Sequence, residues 1–136
     1  MTYTVSWYDT EKTILRLDIR DKNTWDAWYV AVDEMCNELS TVSHRVDLVV
    51  DDQSGMPQGN PLPHLRNTLS KLSKYEHLHT IVTVSEKLLA SPVQVMTRLA
   101  IRFSSFTIKD LRYEQTFEAG LKVINAQRKG SQAVSA

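Results

Sequence analysis

The sequence predicts an α/β fold with a mostly parallel central sheet, and three observations lead to that class. Segments with strand character alternate along the chain with segments of helical period, which is typical of strands linked by crossover helices. The segment RVDLVV at residues 45–50 is almost continuously apolar, as in strands covered on both faces. The first two strand-like segments are separated by a short polar stretch, which favours an antiparallel hairpin at one edge. The predicted order is β-β-α-β-α-β-α-β-α, with the helices packed on the sheet.

The first half of the chain begins with two predicted strands and a helix. Residues 3–7 and 14–19 alternate apolar and polar side chains, and the polar residues 9–12 between them suit a turn. From residue 25 to residue 39 apolar side chains recur at steps of three and four, which predicts one buried helix face. Asn23 is the predicted cap of that helix, because an asparagine side chain can accept a bond from a free backbone N–H.

The second half continues the alternation. Asn60 before Pro61 predicts the start of the second helix, since proline is tolerated at the first helical position, and leucines then recur from residue 62 to residue 72. Residues 78–85 predict a strand, and Pro92 interrupts the segment after it. We therefore expect a single turn at 86–90 and a main helix from 92 to about 102.

The end of the chain predicts one more strand and one more helix. Residues 104–113 have strand character, and Thr116 is the predicted cap of the final helix. Residues 128–136 are small, polar and without a pattern, which predicts a disordered tail. We therefore expect a single domain over residues 1–127, a size that supports one hydrophobic core.

Composition excludes several classes of function. Lysine plus arginine equals aspartate plus glutamate at 16 each, so the chain lacks the basic excess of a nucleic-acid binder or a polybasic membrane anchor. Cys36 is the single cysteine, which excludes an internal disulfide and a cysteine-rich metal site. The N-terminal segment has no signal-peptide pattern, and no stretch is long and apolar enough to cross a membrane. We expect a cytoplasmic protein without membrane insertion.

Four segments together resemble a known family. They are the hairpin VSWYDTEKTILRLDI, the helix start TWDAWYVAVDEM, the strand HRVDLVVDDQSG and the end YEQTFEAGLKVI, which span residues 3 to 124. The order of elements resembles the STAS-like fold of anti-sigma-factor antagonists and of the cytoplasmic domains of sulfate transporters. It is most similar to the bacterial STAS/SEC14 domain-containing proteins. The resemblance implies a regulatory domain that binds a protein partner through the loop at 51–63 and the helix after it.

The resemblance also implies a candidate modification site. In the antagonist branch, a partner kinase phosphorylates a serine at the start of the helix after the third strand, in an Asp-Ser-Ser-Gly motif beyond a strand-ending aspartate. Asp51 matches that aspartate, but Asn60 occupies the helix start. Ser54 precedes a glycine in DQSG, early in the loop, and is the candidate regulatory phosphorylation site. The candidate surface for a partner or ligand comprises Trp28, Asp51, Asp52, Gly55, Met56, Gly59, Asn60, Leu62 and His64.

The candidate residues do not assemble into a chemical site in the sequence. The loop at 51–63 contains neither of the two common phosphate-binding motifs, GxxxxGK[ST] and GxGxxG. Its prolines also remove backbone amide donors. Asp51 and Asp52 are adjacent at a strand end, so they should point to opposite faces, and Asp51 should bond to loop amides. His77 and His79 have a spacing that puts both on one side of a strand, but two ligands are too few for a zinc site. No cofactor or metal is implied.

Three hypotheses follow from these observations. The first is a non-enzymatic interaction domain that binds a protein partner or a second copy of itself, with an exposed apolar patch near Met56, Leu62 and Leu65. The second is a module for a small apolar ligand or lipid, with a pocket of several hundred Å³ between the sheet and a mobile helix hinged at Ser91 and Pro92. The third is an enzyme, for which the sequence shows no acid, base and nucleophile set. Trp28 and Tyr29 are adjacent on one helix, so one of them should line a groove or interface.

Overall fold

A computed structural model describes residues 3–21, 24–53, 59, 61–85 and 108–135, with only the backbone described at residues 61, 62 and 131–135. Within these ranges five strands form one sheet. The strands are β1 (Tyr3–Trp7), β2 (Ile14–Ile19), β3 (Val46–Asp52), β4 (Leu78–Val84) and β5 (Asp110–Glu114). They lie in the spatial order β1-β2-β3-β4-β5. The β1–β2 pair is antiparallel and the other three pairs are parallel, which confirms the predicted α/β class with an antiparallel edge hairpin.

Three helices accompany the described strands. They are α1 (Trp25–Leu39), α2 (Pro61–Leu72) and α3 (Phe117–Ser135). Helix α2 begins at Pro61 as predicted, and the Thr116 hydroxyl accepts a bond from the Ala119 N–H at 3.1 Å as the predicted cap of α3. The expected turn at 86–90, the helix at 92–102 and the hinge at Ser91 and Pro92 lie outside the described residues.

The helices cover both faces of the sheet. Helices α1 and α2 pack on one face, where the buried apolar side chains include Leu17, Leu48, Ile81, Val32 and Leu72. Helix α3 packs on the other face, where the buried apolar side chains in the described ranges are Ile14, Val49, Val82, Val84 and Ile124. All seven residues of β3 are buried, as the continuous apolar run predicts for a strand covered on both sides. Among the described residues, the α1–α2 face carries the larger core.

The start of α1 differs by one residue from the prediction. The N-cap is Thr24 rather than Asn23, because the Thr24 hydroxyl accepts a hydrogen bond from the Ala27 N–H at 3.2 Å. Threonine and asparagine both serve as caps, so composition alone does not choose between adjacent candidates.

The final helix also differs from the prediction. Helix α3 continues through Ser135, where the sequence predicts a disordered tail from residue 128. The physical reason lies at Arg128, whose guanidinium bonds to the buried carboxylate of Asp47 in β3. A contact between residues so far apart in the sequence fixes a segment that has no apolar pattern of its own. The limits of the domain remain a prediction.

Candidate interaction site

The candidate site lies at the carboxyl end of the parallel strands, where open α/β sheets generally place their functional groups. Strand β3 ends there at Asp52, and helices α1 and α2 both begin there. Asp51 and Asp52 point to opposite faces of the sheet, as the strand alternation predicts. Asp51 is on the α3 side and Asp52 on the side of α1 and α2, so the two carboxylates do not act on one common atom.

Asp51 is part of an ion pair between neighbouring strands. It is 2% exposed, and its carboxylate accepts bonds from the Arg16 guanidinium at 2.6 Å and from the Gln53 side-chain amide at 2.5 Å. The Arg16 guanidinium also lies 4.3 Å from the ring centroid of Phe117, a cation–π contact. The amides of residues 54–58 lie outside the described residues, so the expected bonding of Asp51 to loop amides stays a prediction beside this ion pair. A charged arginine on the adjacent strand offers the buried carboxylate stronger, charge-assisted bonds than neutral amides do.

Asp52 belongs to a cavity under α1 and α2. The cavity has a volume of about 60 Å³, and its lining is mainly apolar, with Tyr3, Trp28, Leu69 and Asp52 among the lining residues. Burial, and then the negative charge of Asp52, raise the pKa of Tyr3 to about 12. The expected ligand pocket of several hundred Å³ is much larger than this cavity, which has room for a few water molecules.

Trp28 joins the two helices from inside. Its side chain is 7% exposed, and its indole N–H donates to the Thr68 hydroxyl at 2.8 Å. The Thr68 hydroxyl in turn donates to the His64 backbone carbonyl at 2.8 Å, one turn earlier in α2. The ring of Tyr3 packs edge-on against Trp28 at 6.1 Å between centroids. Trp28 therefore anchors α2 to α1 from below the surface.

Tyr29 and His64 join the same helices nearer the surface. The His64 ring stacks on Trp25 at 4.2 Å between centroids, with an interplanar angle of 15°. The Tyr29 hydroxyl and the His64 Nδ1 are 2.9 Å apart. His64 is therefore half-buried, because two aromatic side chains from α1 enclose it. Trp28 points inward and Tyr29 lies in the groove between the helices, as the angle between adjacent helical positions predicts.

The outward side of α2 is exposed, and Asn67 at its border donates to the Tyr29 hydroxyl at 3.3 Å. Its exposed residues are Pro63, Arg66, Asn67 and Ser70, followed by Lys74 just after the helix. Arg66 and Ser70 are one helical turn apart, and Lys74 follows in the turn after the helix; we call these three exposed residues the ridge. Helix α1 alongside is acidic, and Lys71 bridges to it through Asp33 at 3.3 Å. The outward side of α2 is thus a basic ridge beside an acidic helix.

Several predicted site residues fall outside this geometry. Ser54, Gly55, Met56 and Asn60 lie outside the described residues, and only the backbone of Leu62 is described. The expected apolar patch near Met56 is therefore still a prediction. Gly59 is exposed and has a φ of 107°, a left-handed conformation that glycine adopts without strain.

His77 and His79 do not lie on one side as expected. The His77 Nε2 is 2.8 Å from the carbonyl of Leu39 at the end of α1, whereas the His79 Nδ1 is 3.9 Å from the Asp47 carboxylate on the α3 face. The reason is that β4 begins at Leu78, so strand alternation does not extend back to His77. In the described part of the chain, no three His, Cys, Asp or Glu side chains come together as a metal site.

A charged cluster at the other end of the sheet was not predicted from the sequence. Asp47 is fully buried, and its Oδ2 accepts hydrogen bonds from the Arg128 Nε at 3.0 Å and from the Arg128 Nη2 at 2.8 Å. Its Oδ1 lies 3.3 Å from Arg45. Burial and the charge of Arg45 lower the pKa of the nearby His79, against the opposing effect of Asp47. The available signal was an aspartate inside an apolar strand, since a buried carboxylate requires a cationic partner.

Cys36 lies on α1 near Tyr75 and is partly buried. Burial raises the pKa of its thiol, and a nearby carboxylate, Asp33, acts in the same direction. A raised pKa keeps the thiol protonated, and the protonated form is a poor nucleophile. Cys36 therefore packs as a small, partly buried side chain.

The sheet order and the helices on its two faces define an α/β protein of STAS-like fold. No family model matches the chain. No curated protein sequence matches it. Among solved structures, the chain is similar to one in the crystal structure of the diguanylate cyclase SiaD in complex with its activator SiaC from Pseudomonas aeruginosa.

That similarity is structural. The matched chain is SiaC, and the TM-score is 0.51 at 11% sequence identity, over 82% of this chain and 92% of that chain. At this identity the likeness shows the fold alone. SiaC is named there as the activator of an enzyme with which it forms a complex. Separately, none of the helices in the described ranges is long and apolar enough to cross a membrane.

Proposed function

We propose that this protein is a non-enzymatic regulatory domain that binds a protein partner through the loop at 51–63 and helix α2. The observation that carries the proposal is the two-sided character of α2. Its inner side is fixed to α1, while its outer side presents the exposed ridge of Arg66, Ser70 and Lys74. A cytoplasmic location, expected from the sequence, is part of the proposal.

The inner contacts bear on how α2 could bind. The Trp28–Thr68 bond and the Tyr29–His64 pair hold the first two turns of α2 in one position. A surface held in its binding conformation loses less conformational entropy on association than a mobile one. The outer ridge therefore suits recognition with little rearrangement of the helix.

The charge of the ridge indicates the chemistry of the partner. Arg66 and Lys74 are exposed, and neither has an ion pair within the described residues. Cationic side chains on an exposed helix attract acidic surfaces and accelerate association at low salt. We therefore infer an acidic partner surface. The likeness to SiaC, an activator seen in complex with an enzyme, supports a partner-binding role.

The proposal is tested by comparing two charge-reversed variants of the whole protein. Arg66→Glu with Lys74→Glu reverses the ridge on α2, and Lys122→Glu with Lys129→Glu makes the same charge change on exposed positions of α3. Proteins captured from the native cells by the wild type and by the α3 variant, but lost with the α2 variant, are the expected result. Equal capture by both variants would rule out α2 as the contact surface.

Ser54 remains a candidate regulatory site in the same loop. A phosphoryl group adds about two negative charges near neutral pH, which would oppose an acidic partner. Ser54→Asp should therefore weaken capture of the partner while changing the free energy of unfolding by less than about 0.5 kcal/mol, as for other loop substitutions. Native mass spectrometry of the protein from its own cells would detect the phosphoryl group, or a bound ligand, as added mass.

A further inference from the structure

Strand β1 is an edge whose outer side has no strand partner among the described residues. Its register with β2 tells which backbone groups face outward. The Tyr8 N–H donates to the Ile14 carbonyl at 2.8 Å, so residues 8 and 14 form a hydrogen-bonded pair. Hydrogen-bonded pairs alternate along an antiparallel ladder, so Thr4 and Ser6 also bond to β2. The N–H and C=O groups of Tyr3, Val5 and Trp7 therefore point away from the sheet.

The two edges of the sheet differ in how they are protected. Edge strands in monomeric proteins usually carry charges, prolines or bulges that prevent pairing with another strand. Strand β5 has Asp110, Arg112 and Glu114. Strand β1 has the sequence YTVSW, without a charge or a proline, and its register is uninterrupted. Strand β1 is thus the unprotected edge.

We propose that β1 pairs antiparallel with β1 of a second copy of this protein, around a two-fold axis at Val5. In that register Val5 is opposite Val5 of the partner subunit, and Tyr3 is opposite Trp7 of the partner subunit. All three outward-facing residues then form hydrogen-bonded pairs, which supplies about six backbone hydrogen bonds. The two sheets become one continuous sheet of ten strands, twice the five of one chain.

The side chains of β1 agree with self-pairing on both faces. On the α1 face, Tyr3 is opposite Trp7 of the partner subunit, and aromatic cross-strand pairs stabilise sheets. On the other face, Thr4 is opposite Ser6 of the partner subunit, so exposed uncharged side chains meet. Self-pairing of β5 around Arg112 would instead place arginine opposite arginine, which is unfavourable. The same symmetry thus favours pairing at β1 and opposes it at β5.

The helices can meet across this axis. Helix α1 contacts both β1 and β2, and β1 more than β2. With strands about 4.8 Å apart, helices centred midway over each β1–β2 pair would lie about 10 Å from each other across the axis, and the shift of α1 toward β1 brings them to about 8 Å, the lower end of the helix-packing range. Helix α1 carries four acidic residues and no basic one. Since like charges then face each other across the axis, the dimer should become tighter at higher salt concentration.

The test uses two double variants that differ only at residue 6. Thr4→Lys with Ser6→Lys places lysine opposite lysine across the axis, whereas Thr4→Lys with Ser6→Glu places lysine opposite glutamate. Within one chain Thr4 is opposite Asp18 and Ser6 is opposite Arg16, so the second variant also has favourable neighbours in its own sheet. Sedimentation equilibrium of the full chain then measures the dimer dissociation constant.

We expect the wild type to be a dimer. The lysine–lysine variant should have a dissociation constant about tenfold higher or more, and the lysine–glutamate variant should dimerise about as tightly as the wild type. A monomeric wild type, or equal dimerisation of both double variants, would overturn the proposal. Amide hydrogen exchange provides an independent readout on the unmodified protein: the Val5 and Trp7 amides should exchange slowly at high concentration and rapidly on dilution. Charge reversal of Arg66 and Lys74 should leave the dimer intact, which separates this interface from the proposed partner surface.

Discussion

Replacing Arg128 with alanine should destabilise the protein far more than its position in a polar stretch of sequence suggests. The Arg128 guanidinium donates twice to the Asp47 carboxylate, and it also donates to the hydroxyl of Thr13 at 3.1 Å and to its backbone carbonyl at 2.9 Å. These bonds connect α3 to β3 and to the residue before β2. Their loss would leave a fully buried carboxylate short of a cationic partner.

The size of the effect follows from what remains around Asp47. Removing one partner of a buried ion pair costs about 3–5 kcal/mol. Arg45 still lies 3.3 Å from the Asp47 Oδ1, and the Arg128 side chain is 26% exposed, so water can partly replace it. We therefore expect a loss of about 3 kcal/mol, near the lower end of that range. This is a large part of the 5–15 kcal/mol by which a typical domain is stable.

Urea unfolding followed by circular dichroism measures this loss. Lys129→Ala, at the exposed neighbouring position, is the matched control and should change the unfolding free energy by less than about 0.5 kcal/mol. Asp47→Asn combined with Arg128→Met should cost less than the sum of the two single changes, because neither variant residue carries an unpaired charge. A loss below about 1 kcal/mol for Arg128→Ala would refute the reasoning, since it would show that Asp47 does not depend on α3.

Three further predictions concern single side chains. Trp28→Ala should lower the unfolding free energy by about 4 kcal/mol in urea titrations, whereas Val30→Ala, at a position 60% exposed, should be nearly neutral. The folded-state pKa of Tyr3 is about 12 against an ordinary value of 10.0, so its contribution to stability is present below pH 10 and is lost as the pH rises toward 12. In Tyr3→Phe the free energy of unfolding should no longer fall across this pH range. The pKa of His79 is lowered below 6.5, so stability should fall as the pH drops from about 7.5 to about 5, and His79→Gln should flatten that dependence.

Much of the fold could be predicted because its elements are encoded locally. The apolar run of β3 predicts its burial on both faces, and Pro61 marks the start of α2. Leu69 and Leu72 are buried where the leucine spacing places the inner side of α2. Each of these signals is confined to one segment, and the hydrophobic effect makes burial of such patterns favourable in almost any context.

The errors arose where the deciding contact joins distant segments. Arg128 is held against the sheet by Asp47, which lies 81 residues earlier. His77 contacts the carbonyl of Leu39 at the end of α1, 38 residues earlier, and not the side on which His79 lies. Nothing in the neighbouring sequence of these residues identifies their partners, because strand order and helix placement must first be known.

The two-sided covering of the sheet has a consequence for how the protein is made. Strands β2, β3 and β4 and helices α1 and α2 leave the ribosome before α3, so the face formed by Ile14, Val49 and Val82 has no cover from α3 until residues 117–128 have been synthesised. Exposed apolar strands in a nascent chain are prone to associate with other chains. The Arg128–Asp47 contact joins α3 to β3 at the centre of the sheet. It therefore stabilises the docking of α3, which covers these apolar strands.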